Sequence, residues 1–367
     1  MARRGVQRVD RGMLWAVGIL LVAGLFILTS ASFGLSTVKF NSPYFLVSRQ
    51  LSGIALGLLA MLFLSRISYR TWRKFALPML IVSVALLVAV FLPGIGESYQ
   101  KGAQRWINVG PIQFQPAEVV KITFLIYLAA WLDAKRKHVR SFADGFVPFA
   151  VLTGFVGIFL LLQPNISALI ILGGASLGMF FVGGGRTMQI IGGIAVGVST
   201  VLLFMWMTGY NVDRIMVFLN PELDPQGKGY QIRQSLIAVG SGGIFGKGFG
   251  NSTQKISRLP EPVGDSIFAI FSEELGFVGS IILLSCFAFF FLRGIVIAAR
   301  APDGFGRLLA TGIMLVLFIQ TCTNIAAFIG LMPVTGTPLP FISYGRTAMV
   351  SALASTGIIL NISRHRS

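Results

Sequence analysis

The chain has 367 residues, of which 54% are hydrophobic and only 12% charged, at a mean hydropathy of +0.79. A soluble domain carries about 25% charged residues, so this composition excludes a soluble enzyme, a disordered regulator and, despite a net charge of +17, a nucleic-acid module. Cys286 and Cys322 both lie in apolar runs, and His138 and His365 are isolated, so neither a disulfide framework nor a metal cluster is expected.

A spanning helix needs about 20 mostly apolar residues. The first apolar run, Gly12 to Val38, is uncharged over 27 residues and follows Arg3, Arg4, Arg8 and Arg11. It is too long for a signal-peptide core and reads as a retained span. In chain order the pattern predicts ten helices, near 13–33, 44–65, 74–92, 115–132, 146–163, 165–182, 188–208, 266–292, 307–330 and 342–362. The stretch 145–185 is too long for one span and breaks at Gln163-Pro164-Asn165, a tight turn. The expected fold is an all-α polytopic membrane protein, a single membrane domain over 1–367. Long outer loops follow spans 3 and 7, at about 93–114 and 209–265.

Lysine and arginine set the orientation. With a cytoplasmic N-terminus, eighteen of them fall on the cytoplasmic side and nine on the other. That split satisfies the positive-inside rule and puts both termini in the cytoplasm. Acids run the other way: Asp10, Asp133, Asp144 and Asp303 lie inside, and the other nine lie at or near the outer side. Outer loops that mix acids, bases, Gly, Gln and Trp read as a chemical site; the cytoplasmic loops read as anchors.

Five outer segments could carry chemistry. In Lys101 to Lys121, Pro116 fits the first turn of the fourth helix, and Glu118 and Lys121, three apart, share a face and can pair. Ionisable groups inside a membrane mark function by default; a structural ion pair near a helix end is the alternative. Arg105 and Trp106 read either as an interfacial anchor or as a phosphate and sugar contact. From Tyr230 to Val239 the pattern predicts a short amphipathic helix on the outer surface, with Gln231 and Gln234 on one face. Gly240 to Gly250 holds six glycines in eleven residues. It fails the Walker pattern at Ser241 and Gly248 and reads as a flexible loop whose N–H groups could touch an anion. Asp265 is either a cap of the eighth helix or, with Glu273 about 12 Å deeper, one wall of a polar cavity opening outward. Finally, Gly330 to Gly345 contains three prolines, which forbid a continuous helix; such backbone at membrane depth is expected to line a cavity.

Several motifs together resemble the SEDS family (shape, elongation, division and sporulation; the FtsW/RodA/SpoVE group). They are Gly102-Ala-Gln-Arg-Trp-Ile, Gln115-Pro-Ala-Glu-Val-Val-Lys, Gly229-Tyr-Gln-Ile-Arg-Gln-Ser, Leu259-Pro-Glu…Asp265…Phe268-Ala, Glu273-Glu-Leu-Gly and Pro338-Leu-Pro-Phe-Ile-Ser-Tyr-Gly. The resemblance covers nearly the whole chain. It implies ten spans and an inverting peptidoglycan glycosyltransferase that polymerises lipid II at the outer face of the cytoplasmic (inner) membrane. It also implies a class B penicillin-binding protein as partner, and a role in division or elongation. The resemblance further implies that the essential acid is Asp265 and that the Glu118 and Lys121 pair lines the same cavity. On that reading Asp265 is the general base, and Lys101, Arg105, Arg49 and Arg346 are candidates for the leaving pyrophosphate. Trp106, Glu118, Lys121, Gln231, Gln234 and Glu273 complete the expected substrate-binding set. No cofactor is assigned; a divalent cation is a candidate, though no dedicated ligand cluster is visible. The chain departs from the family pattern at Asn165, at Val263-Gly264 and at Arg346, and its Ser42-Pro-Tyr-Phe…Arg49-Gln-Leu stretch leans toward the division branch. The rival readings are a lipid II flippase and a non-catalytic scaffold.

Overall fold

A computed structural model of the protein describes residues 9–92, 96–99, 103–109, 112–209, 212–224, 227–255 and 259–365. Long apolar runs leave the backbone one way to satisfy its hydrogen bonds away from water, the helix. The first half contains α1 (Arg11–Phe40), α2 (Phe45–Arg66), short α3 (Tyr69–Lys74) and α4 (Ala76–Ala89). Strands β1 (Gly96–Tyr99), β2 (Ala103–Val109) and β3 (Ile112–Phe114) come next, followed by α5 (Pro116–Ala134). A π-helical turn leads into α6 (Val147–Leu162), then α7 (Ile166–Val182), α8 (Thr187–Thr208), α9 (Val212–Leu219) and α10 (Lys228–Ser241). Then come α11 (Ile267–Ala299), α12 (Gly304–Phe328) and α13 (Arg346–Ser363).

Each predicted span falls on a helix. By length and composition, six helical segments can cross a membrane: Arg11–Phe40, Phe45–Arg66, Phe142–Leu162, Thr187–Thr208, Ile267–Ala299 and Gly304–Phe328. Two shorter apolar helices, Ala76–Ala89 and Ile166–Val182, accompany them. Large apolar side chains face outward along α1, α2, α4, α8 and α11, among them Phe26, Phe63, Val196, Leu202 and Ile282. α5 and α13 are instead largely buried, so they can carry polar side chains shielded from lipid.

The all-α expectation needs one correction. The segment expected as an outer loop near 93–114 contains a three-stranded antiparallel sheet, with Glu97 opposite Trp106 and Ile107 opposite Phe114. The predicted amphipathic helix is present as α10.

At one end of the bundle, acids lock helix termini together. Asp10 caps α1, accepting from Met13 N, while Arg293 of α11 pairs with its carboxylate and Asp10 N donates to Ser363 Oγ of α13. Tyr69 Oη (2.6 Å) and Arg70 (3.1 Å) both reach Asp303, the cap of α12. Arg73 pairs with Asp133 at 2.9 Å.

At the opposite end the glycine segment is docked, which corrects the flexible-loop expectation. α11 is broken at Gly276 (φ 66°). The orphaned groups on either side of the break find partners in the glycine segment. Lys247 N and Gly248 N donate to the carbonyls of Glu273 and Glu274, and Phe277 N and Val278 N donate to those of Gly243 and Ile244. Side chains are excluded where the two backbones touch: a Cβ on Gly246 would lie 2.1 Å from Glu274 O, and one on Gly276 would lie 2.3 Å from Gly246 N. The glycines therefore serve backbone-to-backbone packing at a helix break.

Candidate active site

Pro260 and Pro262 keep the chain before α11 out of a helix, and Asp265 sits in the resulting turn, partly buried. The helix cap is Ser266, not Asp265. Ser266 Oγ donates to Pro260 O and accepts from Gln231 Nε2 at 3.1 Å, so Gln231 braces this turn from α10. Gln234, one turn further on, is half-buried.

The turn's backbone is held from outside. Three consecutive carbonyls each accept one hydrogen bond: Val263 O from Tyr344 N (2.9 Å), Gly264 O from Ser343 Oγ (2.8 Å), and Asp265 O from Asn324 Nδ2 (2.9 Å). The proline-rich segment between α12 and α13 is thus stitched onto the Asp265 turn. Its own carbonyls are taken by side chains from three helices: Val334 O by Arg214 (2.9 Å), Thr335 O by Ser167, Thr337 O by Asn324 (2.6 Å) and Pro338 O by Gln320 (2.9 Å). Gly336 (φ 69°) lies against the carboxylate, where an added Cβ would be 3.4 Å from Asp265 Oδ2.

By contrast, the Asp265 carboxylate accepts no hydrogen bond among the described residues. Burial first, and then the charge of Glu261, push it up from 3.8 to about 6, with Arg214 of α9 opposing them. A carboxyl group ionised near neutrality and unencumbered by donors is suited to take a proton.

Glu118 and Lys121 pair at 2.7 Å, both largely buried, and Lys121 Nζ also donates to Gln320 Oε1 at 2.9 Å. With Ser351 and Ser355 of α13 they line a cavity of about 10 Å³, roughly one water. Gln320 therefore joins the ion pair to the segment lying over Asp265.

Other expected site residues are placed elsewhere. Arg105 donates from Nε to Gln163 O (3.3 Å) and from Nη2 to Pro164 O, anchoring the turn between α6 and α7. In the same turn Asn165 caps α7 by accepting from Ala168 N, which an aspartate would do equally well. Trp106, adjacent on β2, points to the opposite face of the sheet and is half-buried. Arg49 is exposed, its guanidinium 5.3 Å from the Phe45 ring. Lys101 lies outside the described residues. Glu273 does not open onto a cavity with Asp265. It is fully buried, and its two oxygens accept from Lys247 (2.7 Å), Thr253 N and Oγ1, Ser252 Oγ and Gln254 N. Glu273 thus fastens the segment after the glycines, and Glu274 does the same through Ser252 N, Lys255 and Ser30. Among the described residues no group of three His, Cys, Asp or Glu side chains converges on a metal position.

Gln50, Arg214, Gln320 and Asn324 join the site from outside the five segments expected to carry chemistry. Gln50, 1% exposed, donates to Ser343 O and accepts from Gly345 N, closing the Ser-Tyr-Gly turn. A polar residue inside an apolar helix is the signal that could have found Gln50, Gln320 and Asn324.

Apolar helices around a buried ion pair, with an unencumbered carboxylate held among loops at one end, define a multi-pass membrane protein carrying its candidate site at one end of the bundle. The chain belongs to the FtsW/RodA/SpoVE family of cell cycle proteins, matched over residues 11–367. It is 40% identical over 347 residues to the stage V sporulation protein E of Bacillus subtilis, covering 95% of this chain and 94% of that one. It is 38% identical over 358 residues to a probable peptidoglycan glycosyltransferase FtsW of Geobacter metallireducens, covering 98% and 95%. Its fold is similar to a chain of a peptidoglycan synthase complex coordinating polymerization and crosslinking (TM-score 0.80, 27% identity, 97% and 98% covered). It is also similar to the rod shape determining protein RodA of Thermus thermophilus (TM-score 0.72, 28% identity, 98% and 97% covered).

Proposed function

We propose that this chain is a peptidoglycan glycosyltransferase acting in cell division or elongation, with Asp265 as its general base. Its substrate is lipid II, polymerised into glycan strands at the outer face of the bacterial cytoplasmic membrane. The chain spans that membrane ten times as one domain, both termini inside; the excess of lysine and arginine at one end supports this orientation. The observation that carries the catalytic reading is the contrast within one turn: the backbone of residues 263–265 is fixed by three donors, while the Asp265 carboxylate has none among the described residues and sits near a pKa of about 6.

The reaction follows from that placement. An acceptor sugar hydroxyl attacks the anomeric carbon of the donor, the bond to undecaprenyl pyrophosphate breaks, and Asp265 takes the hydroxyl proton as the new glycosidic bond forms. Displacement at one face inverts the anomeric centre. The departing pyrophosphate needs a cation. Arg214, which acts electrostatically on Asp265, is the cation that the described residues tie to the site; Arg49, Arg346 and Lys101 remain candidates. Arg105 and Glu273 shape the surrounding loops and act at one remove. Gln231 orients the Asp265 turn through Ser266, Gln234 and Trp106 present a polar and an aromatic surface for sugars, and Glu118 and Lys121 act from beneath. A class B penicillin-binding protein would crosslink the product.

The test is polymerisation of purified lipid II by the full chain and by Asp265→Asn, each with and without the co-expressed partner. Loss of polymer with folding retained is expected. Wild-type yield from Asp265→Asn would remove the base, and lipid transfer across vesicles without polymer would make the chain a flippase.

A further inference from the structure

Asn324 and Gln320 lie four residues apart on α12, hence one above the other on a single face. Both are buried, Asn324 completely. Their amide NH2 groups reach adjacent carbonyls of the same strap: Asn324 takes Thr337 O at 2.6 Å and Gln320 takes Pro338 O at 2.9 Å. Each has a second link. Asn324 Nδ2 also donates to the carbonyl of Asp265 at 2.9 Å, and Gln320 Oε1 accepts from Lys121 Nζ at 2.9 Å. The strap so held places Gly336 against the Asp265 carboxylate.

We propose that Asn324 and Gln320 are positioning residues for Asp265: a two-rung amide clamp on α12 that fixes the strap over the carboxylate and, through Lys121, ties it to the ion pair of α5. This rests on the reading of Asp265 as the base. It reassigns the Glu118–Lys121 pair from holding substrate to setting the geometry of the base from below. The amide suits both rungs: Asn324 Nδ2 donates to two carbonyls at once, and Gln320 donates to one carbonyl through Nε2 while accepting from Lys121 through Oε1. Thr337, Pro338 and Asp265 offer only acceptors at these contacts, so a carboxylate or hydrocarbon in place of either amide leaves carbonyls without donors.

The geometry makes a kinetic demand. A positioning residue does not contact substrate, so its loss lowers kcat and leaves KM in place. Displacing a reacting group by about 1 Å costs on the order of a hundredfold in rate. Asn324→Asp keeps the side chain's size and removes both N–H donors; Gln320→Met keeps length and removes the amide. The experiment measures kcat and KM for lipid II polymerisation by the full chain in these two variants, with Asp265→Asn and Thr321→Ala alongside. Thr321 is buried on the same helix and, among the described residues, bonds only to Leu317 O, one turn back on α12. Its variant reports what a packing defect alone does.

For Asn324→Asp and Gln320→Met we expect kcat to fall on the order of tenfold to a hundredfold, KM to stay within about twofold, and Thr321→Ala to retain kcat. The clamp is overturned if Asn324→Asp, folded by thermal midpoint, keeps kcat within about twofold, or if both clamp variants raise KM at constant kcat, which would make the amides substrate ligands. Polymer from Asp265→Asn would instead overturn the catalytic reading itself, a separate failure visible in the same series.

Discussion

The buried pair of α5 offers the sharpest test of how this bundle is held together. Glu118 and Lys121 are 7% and 6% exposed, 2.7 Å apart, and among the described residues Lys121 has one further partner, Gln320. Changing Lys121 to Met leaves the Glu118 carboxylate uncompensated among the apolar residues Ile122, Leu125 and Leu317. Breaking a buried pair from one side costs about 3–5 kcal/mol, whereas replacing both partners by neutral groups of similar volume is often close to neutral. Glu118→Gln and Lys121→Met should therefore each lose about 3–5 kcal/mol, and the double variant should recover most of it. The assay is thermal or denaturant unfolding of the detergent-solubilised chain, with all four proteins in one double-mutant cycle. Polymerisation separates the roles: the stable double variant should remain poorly active, because Gln320 has lost the ammonium that holds it. Single losses below about 1 kcal/mol, or a double variant no more stable than the singles, would refute the buried-pair reasoning. Full polymer yield from the double variant would remove the pair from function.

Three further outcomes are expected. On the proposed role of Asp265 as the base, with its carboxyl near 6, kcat/KM should rise with pH through about 6; Glu261→Gln should move that midpoint down and Arg214→Met should move it up, as read from pH–rate profiles. The same elevation carries a stability sign. Between the ordinary value of 3.8 and about 6 the folded chain binds more protons at this site than the unfolded one, so stability falls as pH rises through that window. Asp265→Asn escapes the loss and should melt above wild type at neutral pH, with the difference gone below the ordinary value; equal midpoints at both pH values would contradict the raised pKa. Gly276→Ala combines a left-handed φ of 66° with a contact of 2.3 Å to Gly246 N, so it should sharply reduce the yield of folded protein, and a wild-type melting temperature would show that the glycine segment is not docked at the break.

The helices were legible because lipid makes their length and apolarity a physical requirement. The Gln163-Pro164-Asn165 turn and the Glu118–Lys121 pairing were legible because both are local. The sheet was not. In Ala103-Gln-Arg-Trp-Ile-Asn-Val, large and polar residues fall on both faces, so no clean alternation marks a strand. The glycine segment hid its purpose because its partner is the break at Gly276, some 30 residues away. The role of Glu273 was hidden in the same way. An acid within an apolar helix announces that it has a partner but does not say which, and here the partners are donors of the docked segment.

The two glutamates of α11 and the aspartate just before it clarify what distinguishes a reactive carboxylate from a structural one. Each is an expensive residue to place in or beside an apolar helix. Glu273 accepts through both oxygens from five donors, and Glu274 Oε1 accepts from Ser30, Ser252 N and Lys255. A carboxylate so engaged has its oxygens committed to fixed donors, and taking up a substrate proton would break those bonds. At Asp265 the donors go to the backbone instead, on three successive carbonyls. The position of the residue is thereby fixed without stabilising its charge. A fixed backbone together with a carboxylate free of donors is the arrangement that suits a general base, and among the described residues Asp265 has it where Glu273 and Glu274 do not.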